Sequence, residues 1–237
     1  MSARQHRRGA GLAMGLVALL LSAEVGGVRA GGIDAAAIAR QGNGRGGPPC
    51  MACHGVDGGG NAVADFPRLA GLPAAYLARQ LDAFADGTRQ NGSMRIAAST
   101  LSADERAAMA AYYASLPAPA ASFATAVPAA AASAVASGPL PLGERLAIRG
   151  RWERGLPACA QCHGPDGVGV GDRFPPLVGQ PAGYLAAQLR AWRLGTRRGD
   201  PLGLMQAVAS KLDAADIAAV AGWYAAQPRP SNLAARR

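Results

Sequence analysis

The sequence predicts an all-α protein built as two tandem copies of one small domain. Three observations predict it. The two halves of the 237-residue chain align motif by motif at an offset of 108 or 109 residues, the mark of a duplicated unit. Apolar residues recur at helical spacing, and no stretch alternates as a half-buried strand does. Proline opens and glycine closes the middle helix at matching positions of both halves.

The elements follow in order. Residues 1–30 form a secretory leader: Arg4, Arg7 and Arg8 make a positive start, Gly9 to Leu21 an apolar run, and Val28-Arg29-Ala30 a small-residue cleavage pattern. The alternative is an uncleaved anchor, against which stand the shortness of the run and Glu24. The first repeat spans residues 31–118. Ile33, Ala37 and Ile38 begin it with a helical stripe, matched by Leu142, Leu146 and Ala147. Cys50-Met51-Ala52-Cys53-His54 follows, matched by Cys159-Ala160-Gln161-Cys162-His163. Phe66-Pro67-x-Leu69-x-Gly71 matches Phe174-Pro175-x-Leu177-x-Gly179 in a Gly/Pro-rich loop. Pro73 and Pro181 start the middle helix, which carries Tyr-Leu-x-x-Gln-Leu in both halves (Tyr76 to Leu81, Tyr184 to Leu189) and stops at Gly87 and Gly195. Loops with Met94 and Met205 come next. The last helix opens on the capping box Ser102-x-x-Glu105 in one half and on Asp213 in the other, with Met109, Tyr112, Tyr113 and Leu116 matched by Ile217, Val220 and Tyr224. Residues 119–139 form an uncharged Ala/Pro-rich tether, and the second repeat spans 140–237.

Composition narrows the function. A chain 50% hydrophobic and 16% charged is not disordered, and no Gly-X-Y period makes it collagenous. It has only 4 Phe, 3 Trp and 5 Tyr, a poor supply for two dense cores, so another body has to help fill them. The formal net charge of +9 is uneven: residues 31–125 hold seven basic and seven acidic groups, residues 126–237 thirteen and seven. A balanced first half in an exported protein argues against nucleic-acid binding. The basic second half suits docking to an acidic protein or a membrane surface, or is a solvated face with no partner.

The rarest residues carry the chemistry. All 4 Cys and two of the 3 His lie in the two Cys-x-x-Cys-His motifs. On a helical turn, positions i, i+3 and i+4 share a face. Two thiols there can each add to a haem vinyl group while the imidazole of His54 or His163 meets the iron from the same side. A disulfide or thioredoxin-like pair has no use for the histidine, and a zinc ribbon spaces its Cys pairs about 15–20 residues apart. The reading is two haem c groups, held by Cys50, Cys53 and His54 and by Cys159, Cys162 and His163. His6 leaves with the leader and no Cys is spare, so if each iron is six-coordinate its sixth ligand is methionine, the common partner of histidine in electron-carrying haem proteins. Met51 lies inside a motif and Met109 in a core stripe. Met94 and Met205 remain, 40 and 42 residues after their histidines, as metal ligands with His54 and His163. The carbonyl of Pro67 or Pro175 either accepts the histidine Nδ1 proton or only makes a rigid turn. Arg68, Arg89 and Arg197 are either propionate partners or solvated side chains. Tyr76, Tyr184, Phe84, Trp192, Tyr113 and Tyr224 are core residues first.

Motif pairs, Phe-Pro-x-Leu-x-Gly segments, Tyr-Leu-x-x-Gln-Leu helices and late methionines together resemble the dihaem cytochrome c4 family over most of residues 33–227. The resemblance implies two class I cytochrome c domains about a pseudo-two-fold axis. It implies a periplasmic electron carrier without substrate turnover, at times membrane-associated, that takes electrons from an upstream quinol-oxidising complex or dehydrogenase and donates to a membrane-bound terminal oxidase. Two departures stand out: Pro176 replaces Arg68, and the Met205 loop is longer than the Met94 loop. Two other functions remain: a haem subunit of a larger dehydrogenase complex, and a dihaem enzyme such as a peroxidase or thiosulfate dehydrogenase, which needs an unusual axial position that neither half offers.

Overall fold

A computed structural model describes residues 32–118 and 140–228. The expected leader and tether lie outside the described residues. Among the described residues each half holds five α-helices: α1 (Ala35–Gln41), α2 (Met51–His54), α3 (Ala74–Asp86), α4 (Gly92–Ser99) and α5 (Ala103–Ser115), then α6 (Leu142–Ile148), α7 (Ala160–His163), α8 (Ala182–Arg193), α9 (Leu204–Ala209) and α10 (Ala214–Ala226). Among the described residues, β pairing is confined to isolated bridges, as an all-α chain requires. No helix among them is long and apolar enough to cross a membrane.

The middle helices begin where proline fixes φ and leaves no amide to satisfy: Pro73 caps α3 and Pro181 caps α8. Gly87 ends α3 in the left-handed region; α8 ends one residue earlier in register, at Leu194, with Gly195 left-handed behind it. The last helices carry capping boxes in both halves. Ser102 and Glu105 exchange bonds at the start of α5, and Asp213 and Asp216 do so at the start of α10.

In the first half α5 packs on α1 and α3; in the second α10 packs on α6 and α8. The cores form around Leu77, Met109 and Tyr113 and around Leu146, Ile217 and Tyr224. Burying each such side chain contributes roughly 1.5–3 kcal/mol. Gly143 is needed where α6 crosses α10, since a Cβ there would stand 2.3 Å from the Ala219 carbonyl oxygen.

The halves meet through α3, α8 and the loops before and after them. Gln90 donates its amide to the Thr196 carbonyl (2.9 Å), and Arg198 donates to Thr88 (2.7 Å). These reciprocal bonds bring Arg89 and Arg197 into an antiparallel bridge. The two halves thus offer each other the same surface, the pattern of a two-fold contact.

Candidate haem sites

Each Cys-x-x-Cys-His motif folds as one helical turn, α2 or α7, so both sulfurs and the imidazole come from a single short element. All four cysteines are free thiols. Burial pushes the Cys50 thiol up, and that of Cys159 up to about 11. Both histidines are buried, at 6% and 7% exposure. His54 Nδ1 donates to the Pro67 carbonyl at 2.9 Å, and His163 Nδ1 to the Pro175 carbonyl at 2.8 Å. That bond selects the tautomer whose Nε2 carries a free lone pair. Burial also holds both imidazoles below their ordinary pKa; beside His163 the Arg197 charge adds to this. The rings are neutral and fixed, which a metal-binding imidazole requires. Of the two sequence readings of Pro67 and Pro175, the geometry matches the bonded one.

The loop ahead of each motif is clipped to the last helix. Arg45 binds Glu105, and Arg151 binds Asp216 bidentately at 2.7 and 3.1 Å. Behind each motif, Gly58 and Gly167 sit against the rings of Tyr113 and Tyr224, where a Cβ would come within 2.9 and 2.4 Å.

Met94 and Met205 are in helices, not in the loops expected for them. Met94 is the third residue of α4 and Met205 the second of α9. Asn91 caps α4 by accepting from the Met94 amide at 2.9 Å, and Asp200 accepts from the Met205 amide at 2.6 Å. Both methionines are half-buried. In the first half the structure brings the candidates together: Cys50, Cys53, His54 and Met94 line one cavity of about 390 Å³. In the second half the corresponding residues occupy the corresponding elements.

A haem fits what lines this cavity. Its walls include Leu77, Phe84, Met109 and Tyr113, with Arg68 and Arg89 among its polar groups. The buried hydroxyls of Tyr113 and Tyr224 face the Cys50 and Cys159 thiols of their own halves, and burial raises their pKa. Free thiols, a fixed neutral imidazole, a methionine and an apolar slot form the donor set of covalent haem.

The three arginines are not solvated. Arg68, Arg89 and Arg197 are all buried. Arg89 binds Gln80 (3.0 Å), Gln188 (2.6 Å) and the Tyr184 hydroxyl (3.1 Å). Arg197 binds Gln188 (3.0 Å), Gln80 (2.8 Å) and the Tyr76 hydroxyl (3.3 Å). Each guanidinium also lies over an aromatic ring of its own half, Phe84 or Trp192. Burial pushes the Tyr184 hydroxyl up, but Arg89 and Arg197 outweigh it and hold it below its usual value.

Sequence reasoning missed this ring, although its signal was present: Gln80 and Gln188 repeat within Tyr-Leu-x-x-Gln-Leu. It also missed Gln180, buried between the halves, which has no such signal because Leu72 occupies the matching position.

Comparison with known proteins agrees with this geometry. Residues 49–117 match the family model described as cytochrome c, and residues 147–223 that described as cytochrome c oxidase, cbb3-type, subunit III. The chain is 53% identical over 184 residues to the thiosulfate dehydrogenase electron acceptor of Thiomonas intermedia, covering 76% of this chain and 78% of that one. It superposes on the crystal structure of reduced recombinant cytochrome c4 from Pseudomonas stutzeri with a TM-score of 0.61 at 33% identity, over 75% of this chain and 92% of that one. It superposes on the thiosulfate dehydrogenase TsdBA from Marichromatium purpuratum with a TM-score of 0.69 at 46% identity, over 81% of this chain, and spans 39% of that longer chain. The chain belongs to the dihaem cytochrome c4-like family of electron carriers, with one covalently bound haem c, and its iron, in each of its two cytochrome c domains.

Proposed function

We propose that this protein is a periplasmic electron carrier that accepts electrons from a thiosulfate-oxidising dehydrogenase and passes them to a membrane-bound terminal oxidase. The observation that carries a two-centre relay is the makeup of the first cavity. Its lining includes Gly183, Tyr184, Ala187, Gln188 and Ala191 of α8, so the second domain closes the first domain's site.

In this reading Cys50 and Cys53, and Cys159 and Cys162, form the thioether links. His54 and His163 would each supply a nitrogen ligand to a bound haem iron, and Met94 and Met205 a sulfur ligand. Bound haem supplies one-electron ferric/ferrous chemistry in each domain. The rest is the work of the chain. Pro67 and Pro175 orient the imidazoles, the capped helices α4 and α9 hold the methionines, and the apolar walls exclude water. With a histidine nitrogen and a methionine sulfur both committed to each iron, no position would be left open for a substrate, which argues against a dihaem enzyme.

The donor assignment draws on the Thiomonas intermedia relative and its name. The acceptor assignment draws on the family resemblance. One further reading has its own support: because the match to TsdBA covers 39% of a longer chain, the protein also reads as the carrier subunit of a dehydrogenase complex.

The test is direct. Oxidised holoprotein is mixed with thiosulfate and a catalytic amount of thiosulfate dehydrogenase, and haem absorbance is followed. Both haems should become reduced. Failure to reduce a protein that ascorbate reduces fully overturns the donor assignment, and rapid carbon monoxide binding by the native ferrous protein overturns the closed-site reading.

A further inference from the structure

The peptide group that holds His54 is itself held from the other domain. His54 Nδ1 donates to the carbonyl of Pro67 at 2.9 Å. The amide N–H on the far side of that same peptide belongs to Arg68. It donates to Gln180 Oε1 at 3.0 Å, and Gln180 Nε2 returns a bond to the Arg68 carbonyl at 3.0 Å. Arg68 and Gln180 are 1% and 4% exposed, so water does not compete for these bonds. A continuous chain therefore runs from the His54 ring through one peptide plane to a side chain of the second domain.

The second domain has no such chain. His163 donates to Pro175 in the same way, but the next residue is Pro176, which has no N–H to donate. Where the second domain has Gln180, the first has Leu72. Both ends of the device are missing on that side.

We propose that Gln180 is a positioning residue for His54, by which the second domain tunes the axial imidazole of the first haem and of that haem alone. This rests on the reading of His54 as an iron ligand. Hydrogen bonds in series polarise one another. Gln180, accepting at the peptide N–H, makes the Pro67 carbonyl a stronger acceptor. The stronger acceptor draws the Nδ1 proton further and makes Nε2 more basic. A more basic ligand favours ferric over ferrous iron and lowers the reduction potential of the first haem. Undocking the domains would release that constraint, so the same bond reports domain docking to the first iron.

The test uses full-length holoprotein. Gln180→Leu, which installs the residue found at the matching position, should make the first haem about threefold easier to reduce, roughly 30 mV at 59 mV per tenfold for one electron, and leave the second haem unmoved. Arg79→Ala removes another contact between the domains, from Arg79 to the Asp172 carbonyl, without touching this peptide, and should move neither potential. NMR of the unmodified ferrous protein gives a reading independent of any variant: the His54 Nδ1 proton should resonate downfield of that of His163, and move upfield in Gln180→Leu. An unmoved first potential in a folded variant, equal shifts at both haems, the same shift in Arg79→Ala, or no downfield displacement of His54 overturns the proposal. If the His54 ring signals of the unmodified protein lack haem ring-current shifts, it is the ligand assignment that fails.

Discussion

His54 and His163 each spend one nitrogen on a proline carbonyl, and this determines what the other nitrogen can do. With Nδ1–H donated and the rings buried, a neutral Nε2 lone pair is what remains. The methionines proposed as the second ligands are held in place too, because Asn91 and Asp200 anchor the amides of Met94 and Met205. Met94→Leu and Met205→Leu should therefore each open one iron without detaching its haem. The ferrous form of either variant should bind one carbon monoxide per chain, with the other haem spectrally unchanged. A native spectrum in either variant would mean that the methionine is not the ligand. The candidate residues were legible because covalent attachment imposes a spacing on the chain itself, and because the count of His and Cys left only methionine. Gln180 was not legible: its importance lies in a bond to a residue 112 positions away, and it has no counterpart in the repeat.

Short elements hold the motifs in place, and the last helix of each domain does so from its first turn. Glu105 bonds the Ser102 amide at 2.7 Å and also takes the loop arginine Arg45. The Ser102 amide, and then Arg45, hold the Glu105 carboxyl below its ordinary value of 4.5. A carboxylate depressed on folding adds stability above its unfolded pKa and loses it as pH falls through the folded one. Glu105→Gln should lower neutral-pH stability by about 1 kcal/mol, the scale of one helix cap, Arg45 being too exposed to add much. It should also flatten the loss of stability below pH 4.5, as read by thermal melts across pH. Parallel pH profiles for variant and parent would exclude this role. The long helices were readable from their periodicity and their proline and glycine ends. The two methionine helices were not: α4 and α9 have 8 and 6 residues, too few for a period to emerge. The second is also capped from Asp200, three residues before the N-cap position Gly203.

At the scale of the whole molecule, the question is why two buried cations face each other across the junction. Arg89 and Arg197 repel, and burial followed by Arg89 pushes the Arg197 pKa down; among the described residues neither has a salt bridge. The ring offsets this by sharing acceptors. Gln80 and Gln188 each take bonds from both guanidinium groups, so each domain supplies half of what the other's arginine needs. Such an arrangement is closed only when the domains are docked. Arg197→Leu should remove the repulsion but leave the Tyr76 hydroxyl without its arginine donor and Gln80 with Arg89 alone. Hydrogen bonds to charged groups contribute about 1.5–3 kcal/mol each, so the loss outweighs the relief. We expect a net cost of about 2 kcal/mol, borne by the junction more than by either core. Calorimetry of the holoprotein should then show a single unfolding transition in the parent separating into two in the variant, one per domain. A variant that still unfolds in one transition at the parental temperature would show that the ring does not couple the domains, and would leave that role to the other contacts across the junction: the backbone pairs from Gln90 and Arg198, the Arg68–Gln180 bonds and the Arg79–Asp172 contact.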